Sequence, residues 1–253
     1  MRIVRLILGI DGASACWNMA VDEALLISAT QGRGRETLRL YVFKPHAVTI
    51  GYFQRIREVV DLEKAKELGA DVVRRFTGGG AVYHDTYGEV TYSYLTKAVG
   101  PLSDVYRSYE IICRAIVVAA KKLGVNAEFV PINDVVVKGR KFSGSAQARR
   151  GCWLLQHGTF MYATNLETLS QLLLPQEKKL RQRGLSSIRQ RVTTISDELK
   201  RRVELHEVVE ALIKGFGEAM GIKFVEDELS DYELRLAKEL VDKYRSYEWN
   251  FRR

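Results

Sequence analysis

VRRFTGGGAVYHD, residues 73–85, is the stretch on which the fold turns. A valine and two arginines lead into three consecutive glycines, and the chain returns at once to the strand-like AVY. Three glycines give up packing and cost backbone entropy, so the run is expected where the chain takes unusual dihedrals or lies against something with no room for a Cβ. A ligand meets that condition. Consecutive glycines let backbone N–H groups converge on an anion or a carbonyl, and Arg74 and Arg75 add positive charge suited to a phosphate or carboxylate. No Gly-Lys-Ser/Thr follows and no G-x-G-x-x-G opens a helix, which excludes a P-loop and a dinucleotide fingerprint. On its residues alone the stretch reads equally well as a glycine-rich hairpin with surface arginines. His84 reads as a structural hydrogen-bonding residue.

Outward from this stretch the pattern is mixed α/β. LRLYVF (38–43) and AVTIGYF (47–53) suit two strands around Lys44-Pro45-His46. WNMAVDEALLISA (17–29) carries an apolar stripe at helical spacing, and DLEKAKELG (61–69) is a short helix closed by Gly69. SDVYRSYEIICRAIVVAAKKLG (103–124) has a Ser start signal and a Gly stop and predicts a long core-packing helix. After residue 165 the pattern is helical almost to the end, with SDYE (230–233) as a capping box. Residues 1–253 read as a single domain whose C-terminal part is helical from about residue 185.

Two further stretches stand out. In PINDVVVKGRKFSGSAQ (131–147), Lys138-Gly139 reads as a two-residue hairpin turn that sets Val136 across from Lys141 and Asp134 across from Ser143. Directly opposed residues share a face, so Asp134, Val136, Lys141 and Ser143 project together. An ordinary cross-strand ion pair accounts for this, and so does a metal-binding Asp beside a phosphate-binding Lys. In GCWLLQHGTFMY (151–162), strand alternation points Cys152 and His157 to opposite faces, which argues against a Cys–His pair and reads Cys152 as a buried thiol.

Composition narrows the classes. The 253 residues are 46% hydrophobic, enough for a sizeable core. The sequence shows no membrane span, and MRIVRLILGIDG is too short and too interrupted for a signal peptide, so a cytoplasmic protein is expected. The three cysteines, Cys16, Cys113 and Cys152, have neither disulfide-framework nor zinc spacing and are expected as reduced thiols. A net charge of +8 favours anionic partners. The basic run EKKLRQRGLSSIRQR (177–191) lacks interleaved aromatics and reads as solvated or phosphate-facing, so no nucleic-acid partner is expected.

Taken together and in this order, VRRFTGGGAVYHD, NDVVVKGRKFSGSAQ and QHGTFMY resemble the lipoate–protein ligase family and its octanoyltransferase relatives. WNMAVDEALL, VTIGYFQ (48–54) and KYRSYEWNFRR at the end extend the resemblance over nearly the whole chain. It implies the α/β fold shared with biotin ligases, a mixed β-sheet flanked by helices. It also implies that Gly78, Gly79, Gly80, Ala81, Val82 and Tyr83 line an acyl-adenylate site. Arg75 then matches an arginine that contacts nucleotide, Lys141 the catalytic lysine beside the activated carbonyl, and Asp134 a magnesium or nucleotide contact. His157, Tyr52 and Phe53 would lie near the lipoyl pocket.

The implied chemistry uses ATP, Mg²⁺ and lipoate: lipoyl-AMP forms first, and a lysine of a lipoyl acceptor domain then takes the lipoyl group as an amide. The acceptors implied are an acyltransferase subunit of a 2-oxoacid dehydrogenase or a glycine-cleavage carrier protein. The octanoyltransferase relatives match equally well at GRK and GSAQ but work through a cysteine acyl-enzyme, and the approach NAEFVPINDVVV holds no cysteine. The expectation is therefore an adenylate-forming ligase. Because the sequence stops at EWNFRR, a separate accessory protein is expected to supply adenylation. An octanoyltransferase is the alternative, and a non-catalytic lipoyl or nucleotide binder is the alternative of another class. A biotin-type ligase is disfavoured because GRGR occurs at 32–35, outside the glycine-rich loop region.

Overall fold

The computed structural model describes residues 2–174 and 189–253, so residues 177–188 of the basic run lie outside the described part. In chain order the strands are β1 (Arg2–Ala13), β2 (Thr37–Phe43), β3 (Ala47–Ile50), β4 (Asp71–Arg74), β5 (Val82–His84), β6 (Glu89–Lys97), β7 (Glu128–Val130), β8 (Asp134–Val137), β9 (Arg140–Arg150), β10 (Trp153–Met161) and β11 (Ile222–Glu226). The helices are α1 (Ala15–Thr30), α2 (Leu62–Glu67), α3 (Val105–Lys122), α4 (Leu166–Leu172), α5 (Ile195–Leu199), α6 (Leu205–Met220), α7 (Asp231–Arg245) and α8 (Tyr247–Asn250).

Eight strands form one mixed sheet in the order β11-β1-β2-β6-β10-β9-β8-β7, and the other three form a small sheet in the order β4-β3-β5. β1 runs parallel to β2 and β11, while β2-β6, β6-β10, β10-β9, β9-β8 and β8-β7 are antiparallel. Strand alternation then divides the core. Leu154 and Phe160 of β10 join the helices α3 and α6 on one face, and Trp153 and Leu155 join α1 and α7 on the other. With both faces covered, every residue of β10 is buried.

Three expectations need correction. β2 and β3 do not pair across Lys44-Pro45-His46; they belong to different sheets. β4 and β5 are not a hairpin, because β3 lies between them. The C-terminal region is not helical throughout: β11 pairs in parallel with β1, Arg2 opposite Ile222 to Leu6 opposite Glu226. Pairing partners distant in the chain decide each of these, and local residue preference carries no trace of them.

SDYE is a capping box, with Ser230 accepting from the N–H of Glu233 and returning its own N–H to the Glu233 carboxylate at 2.9 Å. The same carboxylate takes two hydrogen bonds of 2.7 Å from the Arg5 guanidinium, in a pair that is almost fully buried. Arg5 Nε also donates to Thr37 at 2.9 Å, so one ion pair ties α7 to both β1 and β2. Burial alone would raise the Glu233 carboxyl, but the hydrogen bonds from Arg5 and Ser230 carry it below the ordinary carboxylate range. A depressed carboxyl stabilises the fold above its unfolded value, and that contribution is lost as pH falls through the folded one. Glu233→Ala, which strands the Arg5 charge, should cost about 3–5 kcal/mol by urea denaturation near neutral pH. Glu233→Gln should weaken the acid dependence of the unfolding midpoint.

Candidate active site

β3 runs parallel to β4 and antiparallel to β5. Residues 75–81 must therefore cross the end of β3, and the crossing explains the glycines. A Cβ on Gly51, just past β3, would stand 2.0 Å from the carbonyl oxygen of Gly79. Gly79 itself takes φ +96°, where an L side chain is strained. Tyr52 donates its N–H to the carbonyl of Thr77 at 2.8 Å, and Arg75 its N–H to that of Ile50 at 2.9 Å, which fastens the loop over β3.

Neither arginine is on the surface; Arg74 is fully buried and Arg75 is 4% exposed. Arg74 binds the carbonyls of Gly51, Tyr52, Gln54, Trp249 and Asn250 at 2.7–3.1 Å, joining the turn after β3 to α8. Arg75 faces the loop. Its Nε donates to Thr77 Oγ1 at 3.0 Å, Nη1 to the carbonyl and hydroxyl of Thr49 at 3.2 and 3.3 Å, and Nη2 to the carbonyls of Gly78 and Gly80 at 2.6 and 2.8 Å. These five contacts match the five N–H donors of a guanidinium. Arg75 is thus committed to the loop, where the sequence reading had it contacting nucleotide. Burial lowers it to about 10, and it stays charged at neutral pH.

The second wall is the β8-β9 hairpin. Val137 faces Arg140 and Val136 faces Lys141 as expected, but a bulge shifts the register so that Val135 faces Ser143 and Asp134 faces Gly144. Phe142 is the inserted residue, fully buried with its ring edge-on to Phe160 at 5.2 Å. Ser143 therefore does not share the face of Asp134; it is buried, its hydroxyl without a partner among the described residues. Asp134 and Lys141 still meet, Oδ1 to Nζ at 2.6 Å. Lys141 lies across Gly144, where a Cβ would come within 2.3 Å of Nζ. The carboxylate assigned to magnesium thus holds an ammonium, and among the described residues no three His, Cys, Asp or Glu side chains converge as a metal site.

Loop, hairpin and β10 enclose a cavity of about 990 Å³. Arg75, Gly79, Gly80, Ala81, Val82 and Tyr83 line one side, and Asp134, Lys141 and His157 line others; Gly78 lies outside the lining. Val59, Val130, Met161 and Leu169 add apolar wall. Tyr52 and Phe53 are not part of it: Tyr52 packs on Trp249, and Phe53 is 65% exposed. The turn that Gln54 makes by accepting the N–H of Gly51 at 2.8 Å carries both rings outward.

His157 is buried, its Nδ1 2.9 Å from Asp22 and its Nε2 2.7 Å from Thr77. Asp22, Thr77 and Thr49 went unnoticed in the sequence, because nothing local marks residues that α1, the loop and β3 bring together. Burial lowers the imidazole below its ordinary value against the opposing pull of Asp22. Burial would raise the Asp22 carboxyl, but His157, Arg39 and Tyr41 hold it low. The cysteines stand apart from the cavity. Cys152, expected buried, is exposed in the turn between β9 and β10. Cys113 lies in α3 behind Ser145, 3.4 Å from its hydroxyl, and burial pushes its thiol up to about 11.

Gly144→Ala should keep the fold, since only the flexible end of Lys141 has to move, yet cost about 10²-fold in turnover by displacing that ammonium. An unchanged melting temperature with reduced turnover is the expected pair of readings.

Comparison with known proteins adds five findings. The octanoyltransferase LipM of Brevibacillus brevis is 35% identical over 96% of this chain and 97% of its own. That of Clostridioides difficile is 32% identical over 93% and 94%. A bi-partite lipoate protein ligase of Thermoplasma acidophilum, solved within an archaeal lipoylation system with its E2 lipoyl domain, superposes with a TM-score of 0.85 at 35% identity, covering 99% of this chain and 97% of that one. A second T. acidophilum structure, with bound lipoic acid, gives 0.83 at 33% identity over 99% and 100%. The octanoyltransferase relatives overturn the expectation of an adenylate-forming ligase, which rested on the cysteine missing from NAEFVPINDVVV. That absence bears on a covalent intermediate, not on acyl transfer as such. A family model for the lipoyl protein ligase A/B catalytic domain matches residues 14–217, and this chain belongs to that family of ligases and transferases.

Proposed function

We propose that the chain transfers an octanoyl group from a thioester donor to a lysine of a lipoyl acceptor domain. The observation that carries this reading is the near full-length similarity to octanoyltransferases. The cavity supports it: apolar walls suit a medium-length acyl chain, and the Lys141–Asp134 pair offers a fixed positive charge for the carbonyl.

In this reading the acceptor amine attacks the thioester carbonyl directly. The C–N bond forms and the C–S bond breaks, and the departing thiolate leaves as a thiol with the proton that the amine gives up. Lys141 stabilises the oxyanion of the tetrahedral state. Asp134 holds the ammonium in place, so little reorganisation is needed when charge develops. No protein nucleophile takes part; Cys113 is buried with a raised thiol, and the other two cysteines lie outside the cavity lining. A thioester donor needs no adenylation and so no accessory adenylating protein.

The intact mass of an acceptor domain, read after incubation with the chain and an octanoyl carrier-protein thioester without ATP, should rise by one octanoyl group. A rise from acyl-adenylate alone would sink the proposal. Lys141→Ala should lower turnover about 10²- to 10³-fold. Cys113→Ala should leave it near wild type, and a thioester-trapped Cys113 would replace direct attack with a two-step route.

A further inference from the structure

We infer that Thr77 and His157 are positioning residues for acyl transfer: backed by Asp22, they fix the Arg75 guanidinium, and Arg75 fixes the backbone of the glycine loop. The inference rests on the acyl-transfer reading of the cavity.

The direction of each hydrogen bond follows from its neighbours. Asp22 accepts from Arg39 Nη1 through one oxygen and from the Tyr41 hydroxyl through the other, both at 2.9 Å, as expected of an ionised carboxylate. A carboxylate cannot donate, so the 2.9 Å contact with His157 Nδ1 needs the hydrogen on that nitrogen. Burial keeps the ring neutral at neutral pH, which leaves Nε2 bare as an acceptor. Thr77 Oγ1 already accepts from Arg75 Nε at 3.0 Å and gives its one hydrogen to His157 Nε2 at 2.7 Å. The order is therefore Arg75 to Thr77 to His157 to Asp22, every donor pointing the same way.

Arg75 heads a second chain of the same group types. Nη1 reaches the Thr49 hydroxyl at 3.3 Å, Thr49 lies 3.0 Å from His84 Nε2, and His84 Nδ1 is 3.1 Å from Glu89. Two threonines and two histidines thus hold one guanidinium from both sides. With the carbonyls of Gly78 and Gly80 drawn to Nη2, planarity of the peptide turns the N–H groups of Gly79 and Ala81 the other way. Those residues line the cavity.

Protonation gives the relay a pH limit. A proton on Nε2 removes the acceptor of Thr77 and sets a positive charge toward Arg75. The charged and titratable groups facing His157 are Asp22 from α1, with Arg39 and Tyr41 of β2 behind it, Arg75 from the loop and His84 of β5. A lowered imidazole is neutral above its ordinary value and becomes charged only as pH falls below it, so turnover should fall along that acid limb.

The test uses the full chain and two substitutions at residue 77. In the wild type at neutral pH, nitrogen NMR should show His157 Nε2 without a hydrogen and Nδ1 with one. Thr77→Val should speed amide hydrogen exchange at Gly79 and Ala81 about tenfold and lower kcat about 10- to 100-fold with little change in acceptor KM. Thr77→Ser, which keeps the hydroxyl, should restore both. An Nε2–H tautomer, a charged ring at neutral pH, or unchanged exchange in Thr77→Val would overturn the relay. Should the relay readings hold while the wild type transfers no octanoyl group, the positioning stands and the proposed reaction fails.

Discussion

Two adjacent buried guanidiniums, Arg74 and Arg75, hold this molecule together by grasping backbone carbonyls on separate sides. Arg74 binds the turn after β3 to the C-terminal helix, and Arg75 binds the glycine loop to the floor of the cavity. Carbonyls in loops are costly to bury without donors. A guanidinium answers several at once in fixed geometry, which an ammonium with three donors cannot do. The loop can therefore leave the sheet ladder, cross β3 and still have its carbonyls satisfied. This also explains why the last residues resemble the family as well as the glycine run does: Trp249 and Asn250 give their carbonyls to Arg74, and Trp249 Nε1 returns a hydrogen bond to the Arg74 carbonyl at 2.7 Å.

The Asp134–Lys141 side of the cavity depends on a local irregularity. Without the bulge at Phe142, Asp134 would face Ser143, and Gly144 would not lie beneath Lys141. The bulge sends a large apolar ring into the core and leaves a glycine under the ammonium, so packing energy on one face sets charge geometry on the other. Lys141, paired with Asp134, stays partly exposed, while the charges behind the loop, at Arg75, Asp22 and Arg39, are almost wholly buried. Burial makes those groups rigid because any movement would leave a charge or donor without its partner.

No helix among the described residues is long and apolar enough to cross a membrane. The three cysteines are free thiols. The basic residues Arg39, Arg74, Arg75 and Lys141 are engaged within the protein: Arg39 on Asp22, Arg74 and Arg75 on carbonyls, Lys141 on Asp134. Net positive charge is accordingly a poor guide to which side chains meet an anionic partner.

The amino-acid sequence by itself determined most of the local elements and the family. Period and caps marked α1, α3 and α7, the Lys138-Gly139 turn set the hairpin, and three ordered motifs carried the resemblance, because each is written in neighbouring residues. Part of the cavity lining was legible for the same reason: Gly79, Gly80, Asp134, Lys141 and His157 all face it. The placing of β3 between β4 and β5, the pairing of β11 with β1, and the roles of Arg74 and Arg75 were decided only by the tertiary structure. A guanidinium reads as a ligand for phosphate until the carbonyls around it are known, and those come from residues as far apart as Gly51 and Asn250. The relay from Asp22 to Thr77 was equally hidden, since it joins a helix, a strand and a loop that share no local pattern.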